Sequence, residues 1–155
     1  MVRWLTEDEE RSWRALQLMQ LRIEAEMARD LAAVGELSYS EYLVLVGLTD
    51  APDERLRSFE LAERLSWERS RLSHLVARME ARGLLERQAC ESDRRGCFLI
   101  MTEAGRRAID AAAPVHVASV RRLFFDHLSS SQVAAVGDAA ESVLTGLERG
   151  ASRAT

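Results

Sequence analysis

Residues 66–102, "SWERSRLSHLVARMEARGLLERQACESDRRGCFLIMT", change once from a helical to a strand period, which restricts the fold more than any other feature. Leu72, Leu75, Val76 and Met79 recur at the spacing that lines one side of a helix. Gly83 is a natural helix stop, because glycine takes the left-handed conformation that ends a helix without a Cβ clash. "LLERQAC" and "CFLIMT" then read as two strands flanking the polar turn "ESDRRG". The rest of the chain has to pack around an amphipathic helix that leads directly into a charged hairpin.

The remaining segments predict helices. Thr6-Glu7-Asp8-Glu9 has the spacing that satisfies the free amides at a helix start. Trp13, Leu16, Ile23, Met27 and Leu31 keep the period until Gly35, about 26 residues or roughly 39 Å. That is long for a small globule and predicts a helix reaching outside its own subunit. Ser38-Tyr39-Ser40-Glu41 repeats the cap and opens an apolar helix to about Leu48, which "TDAPDER" breaks with Pro52. Ser58 is placed to cap a third, short helix through Leu65. Thr102 is placed to cap a long helix running past a kink at Pro114 to about Leu128, and Ser129-Ser130-Ser131-Gln132 opens a last one. Val133, Val136, Val143, Leu144 and Leu147 share a side of that last helix.

A chain of 155 residues is sized for one domain, residues 1–155. Its longest apolar runs, "YLVLVGL" and "CFLIM", fall far short of the roughly 20 residues that span a bilayer, so a soluble chain with no membrane partner is expected. The start, "MVRWLTEDEERSW", is acidic where an export signal is basic and then apolar, which predicts a cytoplasmic location. Net charge is -4, but Arg55 to Cys97 holds ten Arg against seven acidic residues, net +3, and the rest carries -7. A basic middle between acidic ends is compatible with a polyanion partner in a way the total is not.

The order helix, helix, short helix, amphipathic helix, charged hairpin, long helix, helix resembles that of the MarR-family transcriptional regulators. The likeness covers nearly the whole chain. It is carried by "LAERLSWERSRLSHLVARMEARGLLER", by "DRRG" at the hairpin, and by "LIMTEAG", where Met101 replaces the family's usual Leu. The resemblance implies a mainly α fold with a small β-hairpin wing: a winged helix-turn-helix over about 38–101, with dimerisation helices at about 6–34 and 102–149. It further implies a homodimer on a palindromic operator in double-stranded DNA, with recognition helices in the major groove and wings in the minor groove. Many members release DNA when a small aromatic or phenolic compound binds, or when a cysteine is oxidised.

Opposite the apolar side of the 66–87 stretch, a helical wheel collects Trp67, Ser70, Ser73, His74, Ala77 and Arg78, with Arg71 at the flank. Small neutral residues let a helix sit deep in a groove, while Ser, His and Arg donate to base edges and phosphates. Arg95, expected at the turn apex, suits a narrow minor groove of concentrated negative potential. By family analogy Asp93 holds its guanidinium, and Arg94 is the phosphate contact. A bland surface helix and a solvated turn are the competing readings.

Trp13, Gln17, Gln20, Tyr42 and His116 are the expected effector-binding residues, since aromatic walls with a few polar groups suit a small planar acid or phenol. The same aromatic residues would serve equally as dimer core. Cys90 and Cys97 flank the turn and could face one another, which makes a redox-sensing regulator of the same fold one alternative. The histidines are too scattered to share a metal ion, and no cofactor is expected. No phosphate loop, nucleophile elbow or paired carboxylates indicate an enzyme. A rival from another class is a protein-interaction module with a retired DNA face.

Overall fold

A computed structural model describes residues 2–35, 37–90 and 93–152, excluding the side chains of 90, 93–96 and 151–152. The chain divides into two compact units, residues 1–119 and 120–155.

The first unit opens with α1 (Glu7–Val34), capped reciprocally by Thr6 and Glu9 and ended by Gly35 in the left-handed conformation. Met27 and Leu31 are the buried residues of α1, and most of its first half is exposed. Helix α2 (Tyr39–Thr49) is capped by Ser38 and Glu41 and is central to the core, with Val44, Leu45 and Leu48 fully buried. Strand β1 (Arg55–Arg57) leads into α3 (Ser58–Arg64), and α4 (Arg69–Ala81) follows. Strands β2 (Leu85–Cys90) and β3 (Asp93–Met101) then form the hairpin, and α5 (Glu103–Leu123) leaves the sheet.

The observed winged helix differs from the sequence expectation in four places. The sheet has a third strand, in the order β1-β3-β2. Strand β1 has only three residues, two of them Arg, so no alternation betrays it. It becomes a strand by pairing with β3, which sets Leu56 against buried Leu99. Ser58 is the first residue of α3 rather than its cap: Arg57 occupies the cap position, its N–H donating to the Glu60 carboxylate at 3.0 Å. Helix α5 runs through Pro114 and ends at Leu123, five residues earlier than expected, and one 3-10 turn, Phe125–His127, follows. Strand β3 also begins at Asp93, four residues before the expected Cys97.

The junction between α4, the sheet and α5 is a dense knot of backbone contacts. Gly83, at φ 70°, lets the N–H of Leu84 reach Met79 O at 3.0 Å and its own N–H reach Glu80 O at 2.9 Å. The Thr102 hydroxyl accepts from Gly105 N–H at 3.1 Å and donates to Gly83 O at 2.6 Å. It therefore caps α5 and anchors the end of α4 with one oxygen.

Glu41 adds a second tie. It is only 6% exposed. Its carboxylate accepts from the Ser38 N–H and hydroxyl at 2.9 and 3.0 Å and from Arg82, just past α4, at 2.7 Å. Burial pushes its pKa up, but the Ser38 and Arg82 hydrogen bonds and the Arg82 charge outweigh it and leave the pKa below the usual range. A depressed carboxylate pKa contributes stability that is present above the unfolded value and lost as pH falls through the folded one. Wild type should therefore lose stability on acidification below about pH 4. Arg82→Ala should cost roughly 1–2 kcal/mol at pH 7, reduced from a fully buried pair because Arg82 is half exposed. The variant should show a smaller acid loss, which melting curves at pH 7 and pH 3.5 would measure.

In the second unit, residues 120–155, Ser129 and Gln132 cap α6 (Ser130–Ser152). Val136, Val143, Leu144 and Leu147 on α6 are exposed. No single helix among the described residues is long and apolar enough to cross a membrane.

Candidate functional site

Helix α4 sorts its residues onto two sides. Leu72, Leu75, Val76 and Met79 are buried, and Ser70, Arg71, Ser73, His74, Ala77 and Arg78 are exposed. Trp67 departs from the expected helical face, because it precedes α4. Ser66 takes a φ of 53° and Trp67 N–H returns to Ala62 O at 2.9 Å, closing the α3–α4 turn. That turn packs Trp67 against the core, half-buried, with the Arg71 guanidinium 4.2 Å above its ring.

The hairpin lies beside α4 and is fastened to it. Arg87 of β2 donates to the Ser73 carbonyl at 3.3 Å and pairs with Glu80 at 3.5 Å. On β1, Arg55 and Arg57 lie over the Phe98 ring, at 4.1 and 5.3 Å from its centroid. Neither arginine was among the expected site residues, since the strand that positions them was not legible.

At the hairpin end, Cys90 pairs with Asp93 and Ala89 with Cys97, so the register skips Arg94, Arg95 and Gly96. Arg95 thus belongs to the irregular start of β3 and not to the turn apex. The side chains of Asp93, Arg94 and Arg95 lie outside the described residues. Cys90 and Cys97 are not cross-strand partners, because the register shift places Ala89 opposite Cys97. The Cys97 thiol is free. Among the described residues no three His, Cys, Asp or Glu side chains are grouped to hold a metal ion.

The five expected effector residues do not gather in one place. The Tyr42 and His116 rings meet at a tilt of 36° with centroids 4.6 Å apart, and Tyr39 stacks on His116 from 6.5 Å. Burial lowers the His116 pKa, favouring the neutral ring, and its buried Nδ1 has no hydrogen-bond partner among the described residues. Trp13, 54% exposed, lines a shallow cleft with Leu5, Glu9, Ser12 and Leu16. Gln20 lines a different one with Ile23, Glu24, Tyr39, Leu43 and Trp67. Gln17 is exposed and lines neither. Sequence reasoning overlooked Tyr39, Glu24 and the inward role of Trp67; the turn that brings Trp67 to α1 has no periodic signal.

This arrangement, a two-faced helix fastened to a basic hairpin, has close counterparts among known proteins. Residues 36–96 match the MarR family model. The chain is 30% identical to the transcriptional regulator HosA of Escherichia coli over 116 residues, 75% of this chain and 83% of HosA. It superposes on AbsC, a MarR family transcriptional regulator of Streptomyces coelicolor, with a TM-score of 0.86 and 37% identity over 95% of this chain and 99% of AbsC. The chain belongs to the MarR family. HosA and AbsC are both transcriptional regulators. Sco3205, another Streptomyces coelicolor regulator of the family, was crystallised in complex with DNA. It matches with a TM-score of 0.87 and 38% identity over 94% of this chain and 92% of its own.

Proposed function

We propose that this regulator is a ligand-responsive repressor that binds double-stranded DNA as a homodimer on a palindromic operator in the cytoplasm. The observation that carries the proposal is the outer face of α4: Ser70, Arg71, Ser73, His74, Ala77 and Arg78 stand exposed together, with no carboxylate among them. Such a face fits a major groove, where bulk is excluded and donors meet base edges. The likeness to Sco3205, which binds DNA in its crystal, supports the same use here. Asp93, Arg94 and Arg95 then approach the adjacent minor groove, with Arg95 as the inserted cation. The exposed apolar residues Trp13, Leu16 and Leu21 of α1, and Val143, Leu144 and Leu147 of α6, support a second copy as the cover for both helices. The effector is a small aromatic or phenolic molecule.

His74→Ala is expected to weaken specific operator binding by about 1–3 kcal/mol and leave non-specific binding nearly unchanged, because the side chain is proposed to read base edges. Titrating wild type and variant against the promoter region beside its own gene and against scrambled DNA measures both. A wild type that binds neither DNA at low salt would overturn the reading in favour of a protein-interaction module.

A further inference from the structure

The outer face of the β1-β3-β2 sheet carries a pair of arginines that neither α4 nor the hairpin end accounts for. Residues paired directly across antiparallel strands point to the same side, and successive residues alternate. Leu56, buried Leu99 and Arg87, which reaches α4, are paired in one row and mark the inner side. Arg55, Arg57, Phe98 and Ile100 therefore occupy the outer side. There the Phe98 ring is a platform, with the Arg55 guanidinium 4.1 Å and the Arg57 guanidinium 5.3 Å from its centroid. A guanidinium held by its face keeps the N–H donors of its edge for an anion. A half-buried stem that is already ordered also loses little freedom when the anion arrives. Arg55 makes no ion pair among the described residues. Glu86, the carboxylate on the same side, pairs with Ile100 on the far strand, two strand spacings or roughly 9.5 Å from Arg55.

The place of this pair on the sheet says which anion it meets. Helix α4 is fastened to the inner face through Arg87. With α4 in a major groove and the hairpin end in the next minor groove, the outer face looks away from α4, toward the far wall of that minor groove. Phe98 lies three residues along β3 from Arg95, roughly 10 Å at the rise of a strand. A minor groove is only about 7.5 Å deep. With Arg95 in the groove, side chains over Phe98 stand level with the phosphates of its rim and clear of the bases. We propose that Arg55 and Arg57, stacked on Phe98, hold a backbone phosphate on the far strand of the minor groove that the wing enters. The proposal rests on the reading of α4 and the wing as the DNA-contacting elements, and adds to them a contact that positions the protein without reading sequence.

A phosphate contact shows itself by salt dependence: each one lost makes the fall of log affinity with log salt shallower by about one. Arg55→Gln would occur twice in a dimer, so the slope should become shallower by about two. Operator and scrambled duplex should weaken by the same factor, about tenfold at low salt. Arg55→Met, whose unbranched stem still covers Phe98, should behave alike and serves where glutamine disturbs the sheet. Arg55→Lys should keep the slope and lose only part of the affinity, because an ammonium holds a phosphate without the planar stack. Fluorescence anisotropy titrations at several salt concentrations measure all of these. A wild-type slope in Arg55→Gln or in folded Arg55→Met would overturn the proposal whatever the affinity does. A loss confined to the operator would overturn it too, since that marks base reading. A wild type that binds no duplex at low salt removes the regulator reading and this contact with it; a wild type that binds, with variants indistinguishable from it, removes this contact alone.

Discussion

Gly105→Ala is expected to destabilise the chain by roughly 3 kcal/mol or more, at the upper end of overpacking effects. Gly105 sits in the first turn of α5, where a Cβ would lie 2.0 Å from the carbonyl oxygen of Leu84 and 3.1 Å from its carbonyl carbon. Both are backbone atoms, and Leu84 follows directly on the glycine turn that ends α4. No rotamer change relieves the clash. Either α5 lifts from the sheet and loses its Thr102 cap, or the α4 stop opens and loses its two closing hydrogen bonds. A fall in melting temperature of about 6–12 °C should follow, at roughly 2–4 °C per kcal/mol for a chain of this size. Thermal melting of the variant beside Thr102→Ala, which removes the cap without a clash, measures the steric share. Equal melting points for Gly105→Ala and wild type would mean that α5 approaches Leu84 less closely than described.

Ser73→Glu is expected to abolish operator binding, by at least a hundredfold, with the fold intact. Ser73 is exposed on α4, and Arg87 holds its backbone carbonyl, not its side chain. A glutamate therefore adds nothing to the core. It brings a carboxylate to a surface proposed to lie against phosphates and base edges, where juxtaposed like charges cost several kcal/mol. Specific and non-specific binding should both fall, unlike His74→Ala, because the repulsion acts on any duplex. Electrophoretic mobility shift and circular dichroism on the same preparation separate lost binding from lost structure. A variant that binds operator normally would move the DNA-reading surface away from α4.

The two sides of α4 were legible because a helix buries residues by angle alone: one period identifies Leu72, Leu75, Val76 and Met79 and leaves the rest outside. The caps at Thr6, Ser38 and Ser129 were legible for the same local reason. What escaped depends on pairing across the chain. Strand β1 exists only as a partner of β3, and the register that separates Cys90 from Cys97 is set by three skipped residues, not by hairpin length. Trp67 was misplaced because a single left-handed residue, Ser66, takes the chain off the helical wheel just before α4 begins. The expected effector residues share a chemistry and not a location, and three-dimensional spacing distributes them over separate places. Tyr42 and His116 meet; Trp13 and Gln20 line different clefts.

Arg87 has a consequence for how the protein would measure DNA. By holding the Ser73 carbonyl and the Glu80 carboxylate from β2, it makes α4 and the hairpin the two fixed jaws of one calliper. In the proposed dimer on DNA, the gap between the jaw assigned to the major groove and the jaw assigned to the neighbouring minor groove is then set within each half. Such an instrument cannot be retuned by flexing one jaw. On the proposed reading, an operator of altered length is accommodated only by changing the distance between two callipers, so spacer length between half-sites, more than the half-site itself, becomes the quantity to which binding is tuned.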